Sequence, residues 1–368
     1  MRTSLSLINP PIIEAKLVER PQTIVAELVV QAPSVPEEFV EGGAKAWLTI
    51  LGGWFSLFAT FGYANAFGVY QDYYTRSGSA SASSISWIGS TQLFFLLGTA
   101  FPAGKLFDMG YCRQLIFCGG LLYIVSLFMV SLADTSKYYQ IFLAQGVGTG
   151  LGAGLMYLPS VAIQSQYWRQ KRPMAMGIVM SGSSVGGIVY PIMFNNLLHG
   201  RADFAWATRA TAFLNLGIVV LANILMIPRP PKTKPENKTP ISKVLMDPPY
   251  VLFLASAILV SLGLLFPIFY LQLYSILHGV DSKLAFYTIS ILNAASIFGR
   301  ILPSLLAQRI GLLNTHIPIT FITGALVFAT YGANTAAGAV ALAVFYGFFS
   351  GSCTSERRET QFGVSSQS

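Results

Sequence analysis

Charge is what this sequence has least of. Asp, Glu, Lys and Arg make up 10% of its 368 residues, against about 25% in soluble globular domains, so little is available to cover a water-facing surface. A soluble enzyme with a very large core would need amphipathic helices, and the apolar runs here are apolar all round. Cysteine is sparse as well: Cys112, Cys118 and Cys353 form no CxxC or Cys/His spacing, which leaves no metal site and no disulfide framework to argue from them. The three histidines, His199, His278 and His316, fall in loops or at span ends. No Ser/His/Asp or metal constellation arises, so the sequence points away from an enzyme and calls for no cofactor. Between Trp47 and Phe349 no Asp or Glu stands clearly at the centre of a span.

What the chain does have is long apolar stretches, ten of them, most of a length to cross a bilayer. A transmembrane helix takes about 20 apolar residues, and only helices or closed barrels satisfy their backbone in hydrocarbon. Transmembrane strands would alternate over about ten residues; Leu115 to Leu132 is apolar throughout, which excludes a barrel. The predicted spans are Trp47–Tyr70, Ile85–Phe107, Leu115–Leu132, Tyr138–Gln164, Met174–Leu198, Trp206–Ile227, Tyr250–Leu273, Leu284–Leu306, Thr315–Tyr331 and Ala336–Phe349, the last one short. The fold class is therefore an all-α polytopic membrane protein.

The net charge of +8 sits mostly in short loops and needs no nucleic acid. Lys105 and Arg113, then Arg169, Lys171 and Arg172, then Arg229, Lys232, Lys234, Lys238 and Lys243, then Arg309 mark alternate loops as cytoplasmic; the opposite loops hold only Arg76, Lys137, Arg201 and Lys283. The sequon at Asn237 falls on the cytoplasmic side and is expected to stay unglycosylated.

Residues 1–44, rich in Pro and without a signal-type apolar core, read as a flexible cytoplasmic arm. Residues 45–228 form an N-terminal half of six helices, 229–249 a cytoplasmic linker, 250–351 an incomplete C-terminal half, and 352–368 a polar tail unable to span. Each half carries a related loop after its second helix: Gly104-Lys-Leu-Phe-Asp108-Met-Gly110, and Ser304-Leu-Leu-Ala-Gln308-Arg309-Ile-Gly311. Repeated halves around a site near the bilayer midplane are a secondary-transporter design.

Several short motifs, in order, carry a resemblance. They are Glu41-Gly42-Gly43 with Trp47; Gly68-Val-Tyr-Gln-Asp-Tyr-Tyr74; Gly148-Thr-Gly-Leu-Gly152-Ala-Gly154 with Pro159; Tyr167-Trp-Arg169-Gln-Lys171-Arg172 with Ala175 and Gly177; Asp247-Pro-Pro-Tyr250; and Phe298-Gly-Arg300-Ile-Leu-Pro303. Over roughly residues 40 to 350 the chain resembles the major facilitator superfamily, and more closely its fungal monocarboxylate-porter-like branch. Physically, glycines at 148, 152 and 154 suit close helix approach. The resemblance implies a bundle of twelve helices, so the eleventh and twelfth are lacking and the chain reads as C-terminally truncated.

The resemblance also implies roles. Gly104, Asp108, Gly110 and Arg113 stand where the family carries a conformational gate, weakened here because Met109 follows Asp108 and Gln308 stands for the second-half acid. Arg300 matches the arginine that contacts the substrate carboxylate in the monocarboxylate porters. An intramembrane cation of this kind costs at least about 2.5 kcal/mol unless paired, although snorkelling toward the helix end is an alternative use. The porters place an acid four residues earlier and a lysine in the first helix; this chain has Ser296 and Phe67 there. Lactate-type proton symport is not expected, and proton coupling stays open. Tyr63, Asn65, Gln92, Tyr157, Tyr190, Tyr270 and Asn293 are read as lining a cavity for a larger, weakly polar solute, though the same residues also pair helices. The expected function is transport of a small organic solute by alternating access, as an importer or as an exporter of a secondary metabolite, in contact with lipid and most naturally in the plasma membrane. The alternative is a truncated, non-transporting or receptor-like membrane protein.

Overall fold

The computed structural model describes residues 41–78, 80–198, 200, 203–229 and 248–367. Most of the N-terminal arm (1–40), His199, Arg201 and the linker stretch 230–247 with Asn237 lie outside the described residues. Among those described there is no strand.

Among the described residues ten helices follow one another: α1 (44–76), α2 (Ala82–Asp108), α3 (Cys112–Leu132), α4 (Tyr138–Gln166), α5 (Arg172–Leu198), α6 (Phe204–Leu225), α7 (Pro248–Leu277), α8 (Ser282–Ile310), α9 (Leu312–Ala329) and α10 (Ala336–Gln367). Among the described residues nine helices are long and apolar enough to cross a membrane. The predicted first span, α1, is not in that set; it widens into a π turn over Phe58–Gly62 and bends at Ala66 (φ −84°, ψ −1°) before resuming at Phe67. A second π turn, Phe142–Gly148, interrupts α4. Such bulges rotate side chains out of register and recur at functional positions.

Acidic and hydroxyl residues that a hydropathy reading leaves as loop punctuation cap the helices entering from the charge-poor side. Ser81 accepts from the Ser84 N–H at 3.2 Å, Asp203 from the Trp206 N–H at 2.9 Å, and Asp281 from the Lys283 and Leu284 N–H groups at 3.1 and 3.3 Å. The two related loops end α2 and α8 alike, with Gly110 at φ +93° and Gly311 at φ +94°, a conformation that only glycine adopts without strain.

The N-terminal half packs α1 against α5 and α6, α3 against α4 and α6, and α2 against α4. Glycine makes this possible at Gly152, where an added Cβ would fall 2.5 Å from the Tyr123 nitrogen. One continuous core from Ala46 to Met226 results. In the C-terminal half α8 packs against α10, α9 and α7, around two small clusters at Leu292/Tyr346 and Leu264/Ile319/Cys353.

The end of the chain differs from expectation. The stretch from Ser352, predicted to be a polar tail, continues α10 as helix to Gln367. Ser352 is fully buried and donates its hydroxyl to the Gly299 carbonyl at 2.5 Å, and Cys353 is buried. A hydroxyl that bonds helix backbone no longer ends a span.

Candidate functional site

The halves meet along α5 and α8, and the candidate site is built on that seam. Glycine and serine on α5 make the approach close. A Cβ at Gly187 would lie 2.8 Å from Asn293 Oδ1, and one at Gly177 would collide with the Arg300 carbonyl. Between these points the Ser184 and Ser296 hydroxyls share a hydrogen bond of 2.6 Å. One turn further Arg300 reaches back from α8 to α5: Nη1 donates to the Met180 carbonyl at 2.5 Å and also to Ser183 Oγ. Its Nε is inaccessible and has no hydrogen-bond partner. Arg300 is thus held through Nη1 by neutral acceptors, with its Nε–H buried and unpaired. In a low-dielectric site an unmade bond of that kind is costly, and a carboxylate or other acidic oxygen satisfies it well.

The residues expected around Arg300 divide. Asn293 belongs to the seam; it is buried, and Nδ2 donates to the Ile289 carbonyl at 3.0 Å. Tyr63, Tyr190 and Gln92 are each 1% exposed and are packed inside the N-terminal half. Tyr190 donates to Asn215 Oδ1 at 2.7 Å, and Asn215 Nδ2 to the Thr211 carbonyl at 2.8 Å. Tyr63 accepts from Gln145 Nε2 at 3.3 Å, and Gln145 Oε1 in turn accepts from Tyr74 at 2.6 Å. Tyr63 adjoins one π turn and Gln145 lies in the other, so the two bulges bring this pair together. The Tyr63 ring sits edge-on to Tyr190 at 5.9 Å and to Tyr123 at 6.3 Å. Gln92 leaves its Nε2 buried and unpartnered. Asn65 is half-buried on α1, and Tyr157 packs on Phe61 at 4.9 Å. Tyr270 stands apart from all of these, because it is 51% exposed on α7 with its ring against Phe266.

Ser296 and Phe67, the two residues expected from the resemblance to replace the porters' acid and lysine, are both engaged in packing. Ser296 is spent on Ser184. Phe67 is 5% exposed, and a Cβ at Gly89 would fall 2.5 Å from its ring. Of the expected gate residues, Gly104 faces Leu158 of α4, with 3.1 Å to an added Cβ, Asp108 ends α2, and Arg113 is exposed in the first turn of α3.

Two motifs that the sequence presents separately form one joint at the basic-loop end. Glu41 accepts from the Arg169 N–H at 2.7 Å and from the Gln170 N–H, while Trp47 meets Trp168 edge-on at 5.5 Å. Arg229 closes the joint, stacked 4.3 Å over Tyr167 and bonded to the Gln166 carbonyl at 2.9 Å. At the other end, Ser136 donates its hydroxyl and N–H to Asp134, holding that carboxyl below its ordinary range.

Sequence reasoning missed Ser183, Ser184, Gln145 and Asn215. Each is a polar residue inside a predicted apolar span, which is the signal that could have found them.

A family model for the Major Facilitator Superfamily matches residues 49–355. The chain belongs to the Major Facilitator Superfamily. Two relatives within this superfamily are an aspyridones efflux protein of Emericella nidulans, 42% identical over 330 residues, and an agnestins efflux protein of Paecilomyces divaricatus, 39% identical over 333. Those alignments cover 88% and 87% of this chain, and 66% and 76% of the two relatives, so the chain spans about two thirds of the length of the first. The fold is also that of a crystal structure of the superfamily transporter FucP in the outward conformation, with a TM-score of 0.63 at 16% identity, covering 84% of this chain and 82% of that one. Family, fold and apolar helices together make this a multi-pass membrane protein.

Proposed function

We propose that this protein is a secondary transporter, not an enzyme, that exports a small organic solute by alternating access, and that the solute is a fungal secondary metabolite with an acidic or strongly polar group. The observation that carries the reading is Arg300, a cation at the junction of the halves with neutral partners and a spare Nε–H. The names of the two relatives, both efflux proteins, support the direction and the solute class. Lactate-type symport is not part of the reading, because Ser296 and Phe67 leave neither of the porters' titratable groups at their positions. The basic loops are assigned to the cytoplasm, the exposed apolar helix faces to lipid and the protein to the plasma membrane.

The test loads cells expressing the chain with a panel of aromatic hydroxy acids and their methyl esters and follows release. Release of acids over esters, lost in Arg300→Ala at equal membrane level, is expected. Equal release with and without the arginine would remove Arg300 from solute recognition.

A further inference from the structure

We infer that Ser183 and the Met180 carbonyl position Arg300 as a pin that holds the α5–α8 seam closed. The inference rests on packing between helices and not on the solute reading. Residues 177, 180, 184 and 187 make one stripe on α5, at the three- and four-residue spacing of a single helix face, and 293, 296, 300 and 304 make its counterpart on α8. Each contact of the seam pairs one stripe with the other: Gly187 with Asn293, Ser184 with Ser296, Met180 with Arg300, and Gly177 with Ser304. Ser183 stands beside the α5 stripe and receives the same guanidinium nitrogen as Met180.

The chemistry of the pin suits a joint that has to open. Both acceptors of Arg300 Nη1 are neutral oxygens, and this one nitrogen serves both. A carboxylate partner in the same surroundings would bind the guanidinium in a fork and resist separation. A carbonyl and a hydroxyl hold it with bonds of charged-group strength, yet each is replaceable when the helices part. Ser184 is fully buried under the pin. Its accessibility therefore reports how often the seam opens.

The experiment uses the full chain in membranes, carrying Ser184→Cys, and measures alkylation of that cysteine by N-ethylmaleimide. Peptide mass spectrometry separates it from Cys112, Cys118 and Cys353, so the native cysteines stay in place. Slow alkylation is expected in this background, rising at least about tenfold on adding Arg300→Gln, the size set by losing even one of its two charged hydrogen bonds. A smaller increase is expected on adding Ser183→Ala, with slow alkylation restored by Ser183→Thr. Ser183→Ala removes a single hydroxyl and decides the matter if Arg300→Gln fails to accumulate. Unchanged alkylation in Ser183→Ala, or a lowered thermal stability with no change in alkylation, overturns the pin. Impaired transport with unchanged alkylation would sink the pin and leave the solute reading standing. Faster alkylation with unimpaired transport would do the reverse.

Discussion

The two halves of this protein handle intramembrane polarity in opposite ways. In the N-terminal half a buried network stays within the half: Tyr74 bonds Gln145, Gln145 bonds Tyr63, Tyr190 bonds Asn215 and Tyr123 bonds the Ala59 carbonyl. In the C-terminal half the central polar groups of α8, Ser296 and Arg300, bond outward to α5. Burial follows position in the bundle more than the division into halves: 67% of the α5 span and 56% of those of α3 and α4 are enclosed, 50% of α10, 33% each of α2, α6 and α8, and 19% and 17% of α7 and α9. The first half is a self-consistent bundle whose network fixes its helices relative to one another. The second half finds its fixed points on the first.

The sharpest way to break this comparison is overpacking, because α1 and α5 meet without slack at Gly186. Gly186→Val should abolish accumulation of folded protein, since even a Cβ at Gly186 falls 2.7 Å from the Gly62 Cα. Leu259→Val, at a position 70% exposed on α7, should leave accumulation unchanged. Membrane levels measured by fluorescence size-exclusion chromatography compare the two directly, and equal loss in both variants would erase the distinction between the halves.

A smaller effect separates bonds within a half from bonds along a helix. Tyr190→Phe strands the buried Asn215 acceptor and should lower stability by about 1–3 kcal/mol, read as a fall in thermal midpoint in detergent. Asn293→Ala removes a bond to the Asn293 helix's own backbone and should fall at or below the low end of that range. The reverse order would mean that the seam, and not the tyrosine network, organises the bundle.

The smallest effect lies outside the membrane. Asp134 is exposed and its carboxyl is held below the ordinary range by Ser136. A depressed folded-state value stabilises above the unfolded pKa and loses that effect as pH falls through the folded value. Stability should therefore be flat from pH 8 down to about 4 as far as this group is concerned, with Asp134→Asn matching the parent throughout. A midpoint that tracks this substitution at neutral pH would show an influence on the bundle that its exposure does not suggest.

The fold was legible because the bilayer imposes one length and one polarity on every span. Among the described residues nine of the ten predicted stretches correspond to helices that are long and apolar enough to span, and the remaining one, Trp47–Tyr70, falls within α1, which carries the π turn at Phe58–Gly62. The last span runs past its expected end, to Cys353, because serine counts as polar in a hydropathy sum, whereas inside a helix the Ser352 hydroxyl is absorbed by a carbonyl. Arg300 was legible because a cation stands out in an apolar run. Its partners were not, because Ser183, Ser184 and Ser296 are ordinary helix residues until the register of α5 against α8 is known. The same holds for Tyr63 and Gln145, joined by two π turns that no periodicity announces. Tyr270 was chosen for its type, and type says nothing about which face of α7 carries it.

The central claim is that the halves meet at the α5–α8 seam and must separate there for transport. Ser184→Cys combined with Ser296→Cys replaces hydroxyls 2.6 Å apart and tests it most directly. Mild oxidation in membranes should link the pair and stop solute release, and a reducing agent should restore it. Full release from the cross-linked protein would contradict the account.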